Sequence, residues 1–112
     1  MKIDFSGQVA VVTGAGGGIG RAVALALGEV GAKVLLVDLA PEAGRTTESL
    51  LHSKGAEAVF VQADVSDPEQ VQHYVQTAMK NWGRIDIFMN NAAWQGEIHS
   101  LVDYPVDVFD KV

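Results

Sequence analysis

The run VTGAGGGIGR, residues 12–21, places five glycines among ten positions directly after an apolar segment. Glycine loses more conformational freedom on folding than any other residue, so such a cluster persists only where the backbone needs unusual dihedrals or a close approach. A flexible connector and a loop that wraps a phosphate both meet that description, and the flanking residues decide between them. Val9 to Val12 form a short continuous apolar run, the pattern of a strand buried on both faces. Beyond the glycines, Ile19, Val23, Ala26, Leu27 and Val30 recur at three- and four-residue spacing, which predicts a helix with one buried stripe, ended by Gly31. The cluster is therefore a strand-to-helix turn.

The same alternation continues along the chain. Val34 to Val37 read as a second buried strand, and Pro41 opens a helix with Ala43, Thr47, Leu50, Leu51 and Lys54 on one side, stopped by Gly55. Ala58 to Val61 read as a third strand. Asp67 is placed to cap, and Pro68 to start, a third helix with the stripe Val71, Val75, Ala78, Met79 and Trp82, closed by Gly83. Ile85 to Met89 form a fourth apolar run, Ala92 to Tyr104 read as a loop, and Pro105 begins a last helix. Strands alternating with helices of this length pair in parallel, because each crossover returns the chain to the same end of the sheet. The right-handed crossover rule then gives a doubly wound α/β fold of Rossmann type, with three layers, α/β/α, that stops after the fourth strand.

Length and charge narrow the function classes. At 112 residues there is room for one module, and a net charge of -6 opposes both nucleic acid phosphates and anionic lipid. No nucleic acid and no membrane partner is expected. The chain has no cysteine, which removes disulfides, thiolate catalysis and zinc–sulfur sites, and no signal-like or membrane-length apolar run is present. A cytoplasmic protein is the expectation. His52, His73 and His99 are separated from one another and from acidic residues at ligand spacing, so no metal site is expected.

In a doubly wound sheet the turn after the first strand is where nucleotides bind. Gly14 permits a tight turn, Gly18 lets the backbone lie against a ligand, and Gly20 lets the helix pack closely on the strand. The amides at the helix start, with the helix dipole behind them, suit a pyrophosphate. Spacing separates the loops of this kind. A Walker loop and the G-x-G-x-x-G fingerprint both require glycine five places after Gly14, where Ile19 stands, and no Gly-Lys pair occurs. What is present is Thr13-Gly14-x-x-x-Gly18-x-Gly20.

That spacing, in TGAGGGIG, resembles the cofactor loop of the short-chain dehydrogenase/reductase family. Three further stretches fit the same resemblance in order: VDLA with Asp38, ADV with Asp64 and Val65, and NNAA from Asn90 to Ala93. The resemblance covers almost the whole chain, residues 1–112, as the N-terminal, cofactor-binding half of a longer domain. It implies that Gly14, Gly16, Gly17, Gly18, Ile19 and Gly20 hold the pyrophosphate of NAD and that Asp38 accepts from the adenosine ribose. It further implies that Asp64 and Val65 meet the adenine and that Asn91 and Ala92 line the ribose side of the cleft. Ala93 departs from the family, which usually has glycine there. Independently of the family, a carboxylate at Asp38 repels a 2′-phosphate, and neither Gly17 nor Leu39 is basic, so NAD is expected over NADP. Structural readings stand beside these: Asp38 as a turn residue before Pro41, Asp64 as a loop acid, Asn90 and Asn91 as partners of loop backbone, and Thr13 as a brace of the sheet end.

The resemblance implies a Tyr-x-x-x-Lys pair for proton transfer to the reacting oxygen, with a Ser and an Asn. Here Tyr74 and Tyr104 are followed four residues later by Ala78 and Val108, so no catalytic residue is assigned. The expected function is interconversion of a small-molecule secondary alcohol and ketone, with the proton-transfer residues in a missing C-terminal half or a homo-oligomeric partner. An apolar fourth strand at the sheet edge, IDIFM, points the same way. The rival is a non-catalytic dinucleotide-binding module acting as a sensor or subunit. A phospho-acceptor signalling domain of similar topology is disfavoured, because it needs acidic residues where Thr13 and Gly14 stand.

Overall fold

The computed structural model describes residues 3–91. Its elements, in chain order, are β1 (Val9–Thr13), α1 (Gly18–Glu29), β2 (Lys33–Asp38), α2 (Pro41–Ser53), β3 (Ala58–Gln62), α3 (Pro68–Trp82) and β4 (Ile87–Asn90). The strands form one sheet in the order β3-β2-β1-β4, and each neighbouring pair is parallel. The chain winds from β1 out to β3, then crosses back to lay β4 on the other side of β1. The strand order therefore reverses between β1 and β4, and in a doubly wound sheet the carboxyl ends of the strands at such a switch point are where ligands bind.

The continuous apolar runs of the central strands follow from burial on both faces. Val11, Leu35 and Val37 pack with Val71, Tyr74 and Ala78 of α3 on one side of the sheet. Val12, Val34 and Leu36 pack with Ala24 of α1 and Leu51 of α2 on the other. The result is the expected three-layer α/β/α arrangement, with all of β1 buried and the edge strands β3 and β4 largely half-buried.

Local signals explain the boundaries. The Asp67 side chain caps α3 by accepting from Glu69 N at 3.0 Å, and Gly83 ends it in the left-handed conformation, φ +75°. α2 begins at Pro41. β4 starts at Ile87, later than the expected Ile85, and just before it Asp86 N donates to Val9 O while Asp86 Oδ2 accepts from Val9 N, each at 2.8 Å, which ties the entry of β4 to the start of β1.

The helix stripes differ in part from the sequence expectation. In α1 the sheet-facing residues are Gly20 and Ala24 with half-buried Val23 and Leu27, whereas Ile19 and Ala26 are exposed. In α2 the buried set is Gly44, Thr47 and Leu51, and Leu50 and Lys54 face outward. In α3 Tyr74 is buried and Met79 is exposed. Close packing puts the small residues Gly20, Ala24 and Gly44 on the contact lines of α1 and α2, and a reading by hydrophobicity alone passes over the glycines.

Candidate functional site

The chain leaves β1 through Gly14, whose φ of +64° only glycine adopts without strain, and the next amide, Ala15 N, bonds Val37 O at 3.1 Å. The loop is thereby pinned to the end of β2. Gly16 N then donates to Asp38 Oδ2 at 2.7 Å, while Asp38 Oδ1 accepts from Ala40 N at 2.8 Å. Asp38 is thus a fixed carboxylate facing the glycine loop. A Cβ at Gly16 would sit 2.8 Å from Asp38 Oδ2 and from the Ala43 methyl, so only glycine fits between them.

Gly17 caps α1 with extended backbone, and Gly18 begins the helix with φ +55°. A Cβ at either residue meets nothing within 4 Å. By contrast a Cβ at Gly20 would collide with the Gly14 carbonyl and lie 2.9 Å from Asn91 Nδ2. Loop and helix therefore touch at Gly14 and Gly20, and the intervening Gly17–Gly18 segment is open. No side chain caps α1 and no acid occupies its first turn. The first-turn amides lack intrahelical acceptors, and the helix dipole adds roughly half a positive charge there. This is an anion site that needs no lysine.

Around the opening, Ile19 is 72% and Leu39 64% exposed, two large apolar side chains facing water beside the glycine loop and Asp38. Ala63 N bonds Asp38 O at 3.1 Å, which brings the loop carrying Asp64 and Val65 to the end of β2. Asp64 Oδ1 accepts from Ser66 Oγ at 2.6 Å and Ser66 N at 2.9 Å, and the hydroxyl first, then the amide, hold its carboxyl below the usual range. Half-buried Val65 packs against the α3-side core.

At the other wall, Thr13 Oγ1 lies 2.9 Å from Asn90 Oδ1 and accepts from Asn91 N at 2.9 Å. Thr13 thus braces the ends of β1 and β4, and it positions Asn91 over Gly20. Ala92, Trp94, Gln95, His99, Tyr104 and the helix expected from Pro105 lie outside the described residues. Among the described residues no cluster of His, Cys, Asp or Glu is able to hold a metal, and His52 and His73 are exposed on helix faces.

Sequence reasoning missed a second layer behind the loop. Arg21, in the first turn of α1, donates through Nη2 to Gly16 O at 2.6 Å and to Ala43 O at 3.2 Å, and through Nε to Thr47 Oγ1 at 2.9 Å. Thr47, fully buried, donates to Ala15 O at 2.8 Å. A polar residue on a buried helix stripe was the available signal.

A family model described as short chain dehydrogenase matches residues 8–112. The chain belongs to the short-chain dehydrogenase family. It is 39% identical over 110 residues to levodione reductase of Leifsonia aquatica, a match covering 96% of this chain and 41% of that protein. Among solved structures it resembles an NAD+-bound xylitol dehydrogenase at 42% identity and TM-score 0.78, covering 96% of this chain and 42% of the other. It also resembles carveol dehydrogenase of Mycobacterium avium in complex with NAD, at 27% identity and TM-score 0.77, covering 96% and 43%. This family member spans about two-fifths of the length of the curated relatives it matches.

Proposed function

We propose that this chain is the NAD-binding part of an oxidoreductase that interconverts a small-molecule secondary alcohol and a ketone. The observation that carries the reading is the open, uncapped N-terminus of α1 at Gly17 and Gly18, set beside the fixed carboxylate of Asp38. The residues fit the group. Two phosphates need donors and positive potential, which the first-turn amides supply. A ribose diol needs acceptors. A carboxylate has about four lone-pair positions; Asp38 uses one on each oxygen, for Gly16 N and Ala40 N, and keeps one on each for hydroxyl groups. A 2′-phosphate would meet that negative charge with no basic residue at Gly17 or Leu39 to offset it, which favours NAD over NADP.

In this reading Gly14, Gly16, Gly17, Gly18, Ile19 and Gly20 hold the pyrophosphate, and Asp38 holds the adenosine ribose. Asp64 and Val65 border the adenine, and Asn91 with Ala92 lines the opposite wall. Bound NAD supplies the hydride acceptor, and the chain's own residues bind and orient it. Tyr74 packs in the core beneath α3, 2% exposed, so proton transfer is assigned to none of the described residues. Family likeness and the NAD-bound structural neighbours support a small-molecule enzyme. In this reading the proton-transfer groups lie outside the described residues. Calorimetric titration of wild type and Asp38→Ala with NAD tests the assignment: Asp38→Ala is expected to bind at least tenfold more weakly, from loss of charge-assisted bonds. Equal affinities overturn it. NADH formation from any secondary alcohol separates the enzyme from a non-catalytic sensor.

A further inference from the structure

We propose that Arg21 and Thr47 are positioning residues that set the peptide orientations of the glycine loop, so that it offers amides and not carbonyls to the dinucleotide. This rests on the NAD reading above and adds two residues that do not themselves face the opening.

The difficulty they solve lies in Gly16-Gly17-Gly18. Three consecutive glycines have the weakest intrinsic preference for any one peptide orientation. A flipped peptide in such a segment would turn a carbonyl oxygen toward an anion and convert attraction into repulsion. Backbone sterics alone do not prevent this.

The observed bonds do. All described peptides are trans, and in a planar trans peptide the C=O of one residue and the N–H of the next point in opposite directions. Thr47 Oγ1 holds Ala15 O at 2.8 Å, which turns Gly16 N–H away from α2, and that amide indeed meets Asp38 Oδ2 at 2.7 Å. Arg21 Nη2 holds Gly16 O at 2.6 Å, so the same rule turns the N–H of exposed Gly17 away from the guanidinium. Each clamp fixes one peptide.

The two residues act as one unit. Thr47 accepts from Arg21 Nε at 2.9 Å while donating to Ala15 O, and Arg21 reaches Ala43 O of α2 as well. The planar guanidinium fork satisfies three acceptors at once, on the loop and on α2, which an ammonium on a flexible stem does not reproduce. The acceptors are neutral, and the only ion pair among the described residues is Arg84–Asp86. Among the described residues Arg21 is thus held by neutral acceptors and not by a counter-charge. α2 thereby anchors the loop, through Thr47, from 32 residues further along the sequence.

The test uses this chain with three probes: NAD, ADP and adenosine, the last lacking any phosphate. Affinities are measured by titration calorimetry or, for adenosine, by NMR shift titration, for wild type, Arg21→Lys, Thr47→Val and Thr47→Ser. Arg21→Lys keeps the charge and loses the fork; Thr47→Val keeps the volume and loses the hydroxyl. Both are expected to weaken NAD and ADP by about tenfold, the value of roughly one charge-assisted hydrogen bond. Adenosine affinity should stay unchanged in Arg21→Lys, whose clamped peptide does not carry the amide that holds Asp38, and Thr47→Ser should restore NAD binding. Unchanged NAD affinity in Arg21→Lys and Thr47→Val overturns the inference, as does an equal loss on adenosine in Arg21→Lys, which marks a merely structural role. Should Thr47→Val fail to fold, Arg21→Lys decides alone. A wild-type chain that binds neither NAD nor ADP overturns the cofactor reading itself, whereas wild-type binding with insensitive variants overturns only the positioning role.

Discussion

Gly20→Ala tests the contact on which the site geometry rests. Gly20 lies in the first turn of α1, and an added Cβ collides with the carbonyl oxygen of Gly14, with Asn91 Nδ2 a further 2.9 Å neighbour. Carbon sits about 3.5 Å from its neighbours at optimum, so α1 must withdraw from the loop by roughly 1 Å or more. Because the obstacle is backbone and the helix itself is backbone, no rotamer change relieves the clash. Overpacking of this kind costs about 1–3 kcal/mol, and with two rigid partners the upper end applies. The exchange also gains about 1 kcal/mol of helix propensity. The net loss is about 2 kcal/mol, and at about 4–8 °C per kcal/mol for a domain of this size, Tm should fall by roughly 8–16 °C. NAD binding should be lost with it. Gly17→Ala is the control: its backbone is extended and its Cβ would meet nothing within 4 Å, so Tm should change by less than half as much while NAD binding still weakens. Thermal unfolding followed by circular dichroism reads both. A Gly20→Ala protein as stable as wild type would refute the proposed contact.

Two further outcomes follow from the sheet. Asp86 is bonded by the Arg84 side chain and then by Val9 N, and these, in that order, hold its pKa below the ordinary 3.8. A depressed folded pKa contributes stability that is present above 3.8 and is lost as pH falls through the folded value. The Tm difference between wild type and Asp86→Asn should therefore be constant near neutrality and shrink below pH 3.8; a difference that grows on acidification would contradict the assignment. At the β3 edge, Phe60 N donates to Glu48 Oε2 at 2.8 Å and His52 Nε2 bonds Ala58 O at 2.8 Å, so two residues of α2 occupy groups that an incoming strand would need. The double variant Glu48→Ala/His52→Ala should self-associate at concentrations where wild type keeps a lower mass by light scattering, and equal masses would remove the guarding role.

Much of this was legible in the residues. The alternation of apolar runs with helical stripes gives the parallel sheet, and Asp67, Gly83 and Pro41 mark helix ends by the chemistry of capping and of fixed φ. The spacing of Gly14, Gly18 and Gly20 locates the turn, and Thr13 braces the sheet end as expected. What was not legible follows from the same physics. The α1 stripe was misplaced toward Ile19 and Ala26 because the contact line is built of Gly20 and Ala24, whose value lies in what they lack. Tyr74 was outside the expected α3 stripe although its ring packs near Phe88, with centroids 6.3 Å apart. Apart from the polar Thr47 on a buried stripe, nothing in the sequence marks Arg21 and Thr47, since their loop partners are main-chain carbonyls.

The most direct measurement is calorimetric titration of the wild-type chain with NAD and, separately, with NADP under identical salt. An amide-lined helix start beside the Asp38 carboxylate predicts heat with NAD and an affinity at least tenfold weaker for NADP, which must place a dianion against that carboxylate. No heat with either, or NADP bound as tightly as NAD, would contradict it.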